Sequence, residues 1–295
     1  MPNRFKKIFV IINPVSGRPT PILNTLHAHL STAGIIWDVG ITNGGNMKRL
    51  MNQAEYFGAD LVAVYGGDGT IAEAVKSLMD KSLPLAVLPG GTANVLAAEL
   101  GLPRDFQKAC RLLTQKAFYF REIDVGWVND RHFLLRVEVG IEAEAVARAS
   151  QKLKKDLGPL AYAVSAVGTV LGTRVIDFEL TLDGQDVRTE GLSCVVANSG
   201  NLGLPNISLS PTDMSDGFLD VFVIRDRKPD SLFAVATNIL TKVNHEALQH
   251  WRVREVILKS RPPRTAHYDG EILGRKEFRA GILPRAVKIL APERG

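Results

Sequence analysis

The strongest constraint on this chain is a regular exchange of two periodicities across its first 115 residues. Short apolar runs at Lys7-Asn13, Ile35-Ile41, Asp60-Tyr65 and Leu83-Leu88 have the length and β-branched content of buried strands. Between them, apolar residues recur at helical spacing: Leu23, Leu26, Leu30 and Ala33, then Met47, Leu50, Met51, Ala54 and Phe57, then Ile71, Ala74, Val75, Leu78 and Met79. Ala93-Leu100 and Phe106-Gln115 read as further helices. Strands separated by whole helices cannot pair as hairpins, so the pattern predicts a parallel sheet covered on both faces. Ligands of such sheets bind beyond the carboxyl ends of the strands.

Three loops fall at those ends: Asn13-Gly17, Gly66-Thr70 and Pro89-Thr92. A single glycine-rich loop is most simply a tight turn. Three at one sheet edge can present backbone N–H groups and helix amino termini to phosphate oxygens, which requires no lysine. Neither G-x-x-x-x-G-K-[ST] nor G-x-G-x-x-G is present, so neither a P-loop nor a standard dinucleotide fold is indicated.

From about Arg121 the texture changes. Phe118-Val128, Arg131-Val139, Asp177-Leu182, Val187-Ala197, Leu219-Ile224, Val253-Leu258 and Glu277-Leu290 alternate as strands do, with turn signals at Asn129-Asp130 and Asp183-Gly184. Only Glu142-Leu153, Leu160-Leu171 and Asp230-Asn238 read as helices there. The fold class expected is α/β: an amino-terminal parallel-sheet nucleotide-binding domain followed by a mostly antiparallel β-rich domain. The domains are expected at 1–122 and 123–295, with the carboxyl-terminal strand returning to the first. A length of 295 residues agrees with two domains at roughly 100–200 residues each.

Composition excludes more than it selects. No apolar segment approaches the roughly 20 residues of a membrane span, and the amino terminus lacks the apolar core of a signal peptide. A net charge of +5 is too weak to argue nucleic-acid binding, though it suits anionic phosphates or an anionic membrane surface. Cys110 and Cys194 lie far apart in apolar contexts, which predicts buried thiols and fits a reducing cytoplasm. The six histidines show no zinc spacing, and Lys152, Lys154, Lys155 and Arg225-Lys228 read as solvated surface. Two acids three apart in Asp213-Met214-Ser215-Asp216-Gly217-Phe218 could share a hard cation or simply form a turn. Tyr268-Asp269-Gly270-Glu271 nearly repeats the plain hairpin turn Leu182-Asp183-Gly184-Gln185, and Glu271 is what sets it apart.

Taken together and in order, Asn13-Pro14-Val15-Ser16-Gly17, Gly66-Gly67-Asp68-Gly69-Thr70, Leu88-Pro89-Gly90-Gly91-Thr92-Ala93-Asn94, Asp216-Gly217-Phe218-Leu219-Asp220 and Asp269-Gly270-Glu271 resemble the diacylglycerol kinase catalytic-domain family, which includes bacterial lipid kinases and sphingosine kinases. The resemblance spans essentially the whole chain. It implies a kinase that uses ATP and Mg2+ to phosphorylate a hydroxyl of a diacylglycerol-like or long-chain-base lipid. Its implied setting is phospholipid metabolism, with a cytoplasmic protein bound peripherally at a membrane surface; a homodimer is admitted but not required. It implies ATP-binding roles for Asn13, Pro14, Val15, Ser16, Gly17, Thr42, Gly66, Gly67, Asp68, Gly69, Thr70, Glu73, Gly91, Thr92 and Asn94. Glu271 is implied as proton acceptor with Asp269 beside it, Asp68 as a further catalytic residue, and Asp213, Asp216 and the Phe218 carbonyl as ligands of a structural magnesium. Asp124 matches a family acid near the domain junction. Asp68 is expected to serve a metal or a loop amide rather than phosphate, because like charges repel. Two segments depart from the family pattern: Leu135-Glu142 lacks the usual asparagine and G-x-G turn, and Asn198-Gly203 is poorer in glycine. NAD kinase, which shares the GGDGT loop, and a non-catalytic nucleotide- or lipid-binding regulator are the alternative functions.

Overall fold

The computed structural model describes residues 5–17, 20–91, 94–115, 118–140, 175–204, 207–208, 212–225 and 248–292. The chain divides into two compact units, Met1–Ile123 with Arg285–Gly295, and Asp124–Pro284. The helices expected at Glu142-Leu153, Leu160-Leu171 and Asp230-Asn238 lie outside the described residues.

The first unit alternates as its periodicity requires: β1 (Lys7–Ile12), α1 (Ile22–Leu30), β2 (Ile36–Ile41), α2 (Met47–Phe57), β3 (Leu61–Gly66), α3 (Asp68–Leu78), β4 (Leu85–Pro89), α4 (Val95–Glu99) and α5 (Phe106–Leu112). The strands stand in the order β2-β1-β3-β4, all parallel. Every residue of β3 and β4 is buried, as expected of strands covered on both faces. Each fully buried Ile or Leu of this core, such as Ile8 or Leu61, contributes about 1.5–3 kcal/mol. Strand β2 is the edge, and its Ile36 and Ile41 are exposed. Helix α2 stops at Gly58, whose φ of 72° allows its N–H to return to the carbonyls of Ala54 and Glu55. Helix α5 starts at Asp105, whose side chain accepts from the Lys108 N–H. Helix α1 buries Leu26 and Leu30, but Leu23, expected on the same stripe, is 52% exposed. The end of the final strand also belongs to this unit, where Ile289 pairs in parallel with Leu85.

The second unit is antiparallel. Its elements follow from β5 (Phe118–Val128), in which the boundary falls, through β6 (Arg131–Phe133), β7 (Arg136–Val139), β8 (Ile176–Leu182), β9 (Gln185–Gly191), β10 (Ser193–Ala197), β11 (Asn201–Leu204), β12 (Ile207–Ser208), β13 (Leu219–Ile224), β14 (Leu248–Val253), β15 (Glu255–Arg261), β16 (Ala266–Tyr268), β17 (Glu271–Gly274) and β18 (Phe278–Pro292). One sheet has the order β14-β13-β10-β7-β16-β17, and β18, β15, β8 and β9 pair in sequence in another. Alternate residues of both sheets, among them Phe178, Leu180, Val137, Val196, Val221, Val256 and Phe278, form one core. Cys194 joins it, while Cys110 lies in the core of the first unit, and both thiols are free and buried as expected. Burial pushes the Cys110 thiol up to about 12 and raises that of Cys194 as well.

Candidate active site

In the first unit the order β2-β1-β3-β4 reverses its direction between β1 and β3. The loops after those two strands therefore leave on opposite sides of a gap, where open α/β sheets bind ligands. The Asn13 N–H donates to the Tyr65 carbonyl at 2.9 Å, and Asn13 Nδ2 donates to Thr70 Oγ1 at 2.8 Å. Asn13 Oδ1 accepts from the Val15 N–H at 3.1 Å, leaving Pro14, Val15 and Gly17 exposed at the tip; the Ser16 N–H returns to the Asn13 carbonyl.

The three loops interlock through glycine. Gly17 has φ +77°, and a Cβ there would lie 2.2 Å from the Gly90 carbonyl oxygen. A Cβ on Gly91 would lie 2.7 Å from Gly67 Cα. At the end of β3 the Thr70 side chain covers Gly66. Helix α3 opens at Gly67 with no side-chain cap, so the first-turn amides of Asp68, Gly69 and Thr70 lack helical partners at the positive end of the dipole. That is the composition of a phosphate cradle.

Around it the other expected residues take different jobs. Asp68, expected to serve a metal or a loop amide, accepts through Oδ1 from the Leu96 N–H in the first turn of α4 at 3.3 Å. Asn94, with φ 48°, accepts from the Gly91 N–H and donates to the Gly91 carbonyl, both at 2.9 Å, so its amide closes its own loop. Thr42 is buried; its N–H reaches the Ile12 carbonyl and its Oγ1 accepts from Gly44. Glu73 is half-buried on α3. Thr92 lies outside the described residues.

In the second unit Asp269 and Gly270 form the β16–β17 turn with φ values of 46° and 89°, matching 46° and 86° at Asp183 and Gly184. The likeness extends to the carboxylates. Asp183 accepts from the Arg254 and Glu255 amides, while Asp269 accepts from those of Leu134, Leu135 and Arg136 at 2.7, 2.8 and 3.2 Å. Asp269 thus clamps the bend between β6 and β7. Glu271 is exposed, and its Oε2 accepts from the Tyr268 hydroxyl at 2.5 Å; Arg131 Nη1 in turn donates to that hydroxyl at 2.9 Å. Burial first, and then the bond to Glu271, push the Tyr268 phenol up, so it stays a donor. Nothing local in the sequence points to Tyr268 or Arg131, apart from the adjacency of Tyr268 to the turn. The atypical Arg136 and Glu138 pair with one another at 3.1 Å.

Asp124 is fully buried and accepts from the Gly217 N–H at 2.7 Å, holding the acidic loop. Asn198 Nδ2 bridges the carbonyls of Asp124 and Leu134, and its buried Oδ1 has no hydrogen-bond partner. Within the loop, Asp213 Oδ1 accepts from the Ser215 amide and Asp216 Oδ1 from the Phe218 amide. Asp216 Oδ2 receives Arg252 Nη2 at 2.6 Å, and the Arg252 guanidinium lies 4.7 Å from the Phe218 ring centroid. Burial raises the Asp216 carboxyl against the opposing pull of the Phe218 amide and Arg252. A metal here would have to displace that guanidinium. Among the described residues no cluster of three His, Cys, Asp or Glu side chains converges. As arranged, with Arg252 on Asp216, the set Asp213, Asp216 and Phe218 does not fit a metal ion.

Residues 7–128 match the model of the diacylglycerol kinase catalytic domain, and residues 136–291 match that of the YegS C-terminal NAD kinase beta sandwich-like domain. A Staphylococcus haemolyticus protein named "Putative lipid kinase" is 28% identical over 286 residues, covering 93% of this chain and 89% of that protein. A Synechocystis protein named as uncharacterized is 26% identical over 257 residues, covering 83% of this chain; the chain spans 58% of that relative's length. A Bacillus anthracis crystal structure described as "a putative diacylglycerol kinase" superposes with a TM-score of 0.78 at 23% identity, covering 97% of both chains. That likeness is one of fold.

Proposed function

Because the chain belongs to the diacylglycerol kinase catalytic-domain family, with a YegS-type β-sandwich as its carboxyl-terminal domain, we propose that it is an ATP-dependent lipid kinase. Its acceptor is the hydroxyl of a diacylglycerol-like or long-chain-base lipid, met at a membrane surface by a peripheral, cytoplasmic protein. No helix among the described residues is long and apolar enough to cross a membrane. The observation that carries the reading is the glycine-tight meeting of three βα loops at the β1/β3 reversal, with the first turn of α3 uncapped.

In this reading the α3 amides hold the ATP phosphates, and Asn13 fixes the first loop to Thr70 so that the cradle exists before nucleotide arrives. Asp68 holds α4 against the same loop. The acceptor oxygen forms a bond to the γ-phosphorus as the bond to the β–γ bridging oxygen breaks; ADP leaves with that electron pair, and the hydroxyl proton passes to Glu271. Magnesium carried in with ATP supplies charge neutralisation to the phosphate oxygens. The work of Glu271 in this reading is to orient the hydroxyl and to take its proton late in the transfer. Tyr268 fixes the otherwise exposed Glu271, and Asp269 shapes the bend behind it.

The test is phosphoryl transfer from ATP to short-chain diacylglycerol, monoacylglycerol, sphingosine and NAD, each offered alone. Transfer to a lipid supports the proposal. Transfer only to NAD makes the protein an NAD kinase, the reading suggested by its sandwich domain, and nucleotide binding without transfer makes it a regulator.

A further inference from the structure

A cavity of about 70 Å³ in the second unit is lined by Gly140, Pro263, Arg264, Thr265 and Arg275. Its position follows from the β16–β17 hairpin. Ala266 pairs with Gly274, so Thr265 and Arg275 face each other at the open end, opposite the Asp269-Gly270 turn. The three residues of β16 separate the two ends by about 10 Å at roughly 3.3 Å per residue.

The polar groups of this cavity are left in an unusual state. Arg264 Nε is buried and has no hydrogen-bond partner. Arg275 Nε donates to Thr265 Oγ1 at 3.0 Å, so the Thr265 hydroxyl proton remains to be donated elsewhere. Neither guanidinium forms an ion pair with a carboxylate among the described residues. Arg264 is half-buried and Arg275 exposed, so solvent screens their repulsion in part, while the buried Arg264 Nε–H without an acceptor is destabilising. An acceptor-only, negatively charged group would relieve both penalties. That volume has room for several waters, at about 10–15 Å³ each on this measure, and so for a tetrahedral oxyanion in their place. Guanidinium forks match phosphate oxygens, and the threonine hydroxyl adds a neutral donor.

We infer that this cavity binds a phosphate group, either free or on the headgroup of an anionic phospholipid beside the hairpin that carries Glu271. The inference does not depend on the kinase reading.

The experiment follows the arginine Nε–H signals of the full-length protein by NMR during titration with inorganic phosphate, with Arg264→Gln assigning the Arg264 signal. It is paired with flotation on vesicles of phosphatidylcholine alone and with phosphatidic acid. Phosphate should shift the Arg264 signal, and Arg264→Gln should weaken the associated binding about tenfold or more, while ligand-free Arg264→Gln melts no lower than wild type because an unsatisfied donor has gone. If flotation on phosphatidic acid also falls with Arg264→Gln, a headgroup is the source; if flotation is unchanged, the source is a free phosphate. Should Arg264→Gln not fold, Arg264→Lys keeps the charge but lacks the Nε–H, and loss of the signal and of tight binding is expected there. An Arg264 signal that ignores phosphate, or equal phosphate binding by wild type and variant, overturns the inference.

Discussion

Replacing Asp269 should destabilise the protein and replacing Glu271 should not, although only Gly270 separates the two residues. Asp269 accepts from three backbone amides, two at 2.7–2.8 Å and one at 3.2 Å, and it holds φ +46°. A hydrogen bond to a charged group contributes about 1.5–3 kcal/mol when its partner is left stranded, but these amides are half-buried and water recovers part of each. About 1 kcal/mol per short bond and less for the long one gives about 2–3 kcal/mol, and Ala in the left-handed region adds about 1–2 kcal/mol. Asp269→Ala should therefore cost about 3–5 kcal/mol, whereas Asp269→Asn, which keeps one acceptor oxygen and tolerates the turn, should cost about 1–2 kcal/mol. At about 2–4 °C per kcal/mol for a unit of this size, the expected falls in Tm are about 6–20 °C and about 2–8 °C. Glu271→Gln removes no backbone contact and should melt within about 2 °C of wild type while losing transfer. The assay is tryptophan fluorescence against temperature, reported in the second unit by Trp127 and Trp251. An Asp269→Ala protein that melts with wild type, or a Glu271→Gln protein that melts well below it, refutes the division of labour.

Other expectations follow from the same geometry. Asp68→Ala should abolish transfer and keep a cooperative melt; loss of that melt would make Asp68 structural. Gly17→Ala places a Cβ 2.2 Å from the Gly90 oxygen at φ +77°, and nucleotide affinity measured by calorimetry should fall at least tenfold, about 1.4 kcal/mol, with wild-type affinity contradicting the cradle. EDTA should leave Tm unchanged because Arg252 already neutralises Asp216, whereas Arg252→Ala should lower Tm; a fall with EDTA that magnesium reverses would show a metal at that loop. The Cys110 thiol ionises only near 12 when folded, so its contribution is intact below its unfolded pKa near 9 and is lost as pH rises through about 12. Cys110→Ala should flatten that alkaline decline in stability, and an unchanged pH profile would contradict it.

The α/β unit was legible because strand and helix periods are local properties, and β1 to β4 begin and end within a few residues of their predicted bounds. Loop positions at the sheet edge followed from the same alternation. What local pattern could not supply was partnership across the chain. The run Arg131-Val139 breaks into β6 and β7 because Asp269, more than 130 residues away, draws in the amides at the bend. The run Val187-Ala197 breaks at Leu192, beside Gly191, where a Cβ would meet the Ile224 carbonyl at 2.7 Å. Leu23 fits the apolar stripe of α1 and is nevertheless exposed, since periodicity does not fix how far a face is covered. From its own residues the acidic loop reads either as a cation site or as a turn, because nothing in them hints at Arg252, which reaches it from β14. The repeated Asp-Gly turn was visible as a motif, but the amides its carboxylates hold were not.

The most direct measurement follows ATP and a single lipid acceptor by phosphorus NMR with wild type and Glu271→Gln. For wild type, the γ-phosphate signal should decline as a phosphomonoester signal grows with a diacylglycerol or long-chain base, and the Glu271→Gln sample should remain at its starting spectrum. A phosphomonoester that appears only with NAD, or at equal rate in both proteins, would contradict a lipid kinase that works through Glu271.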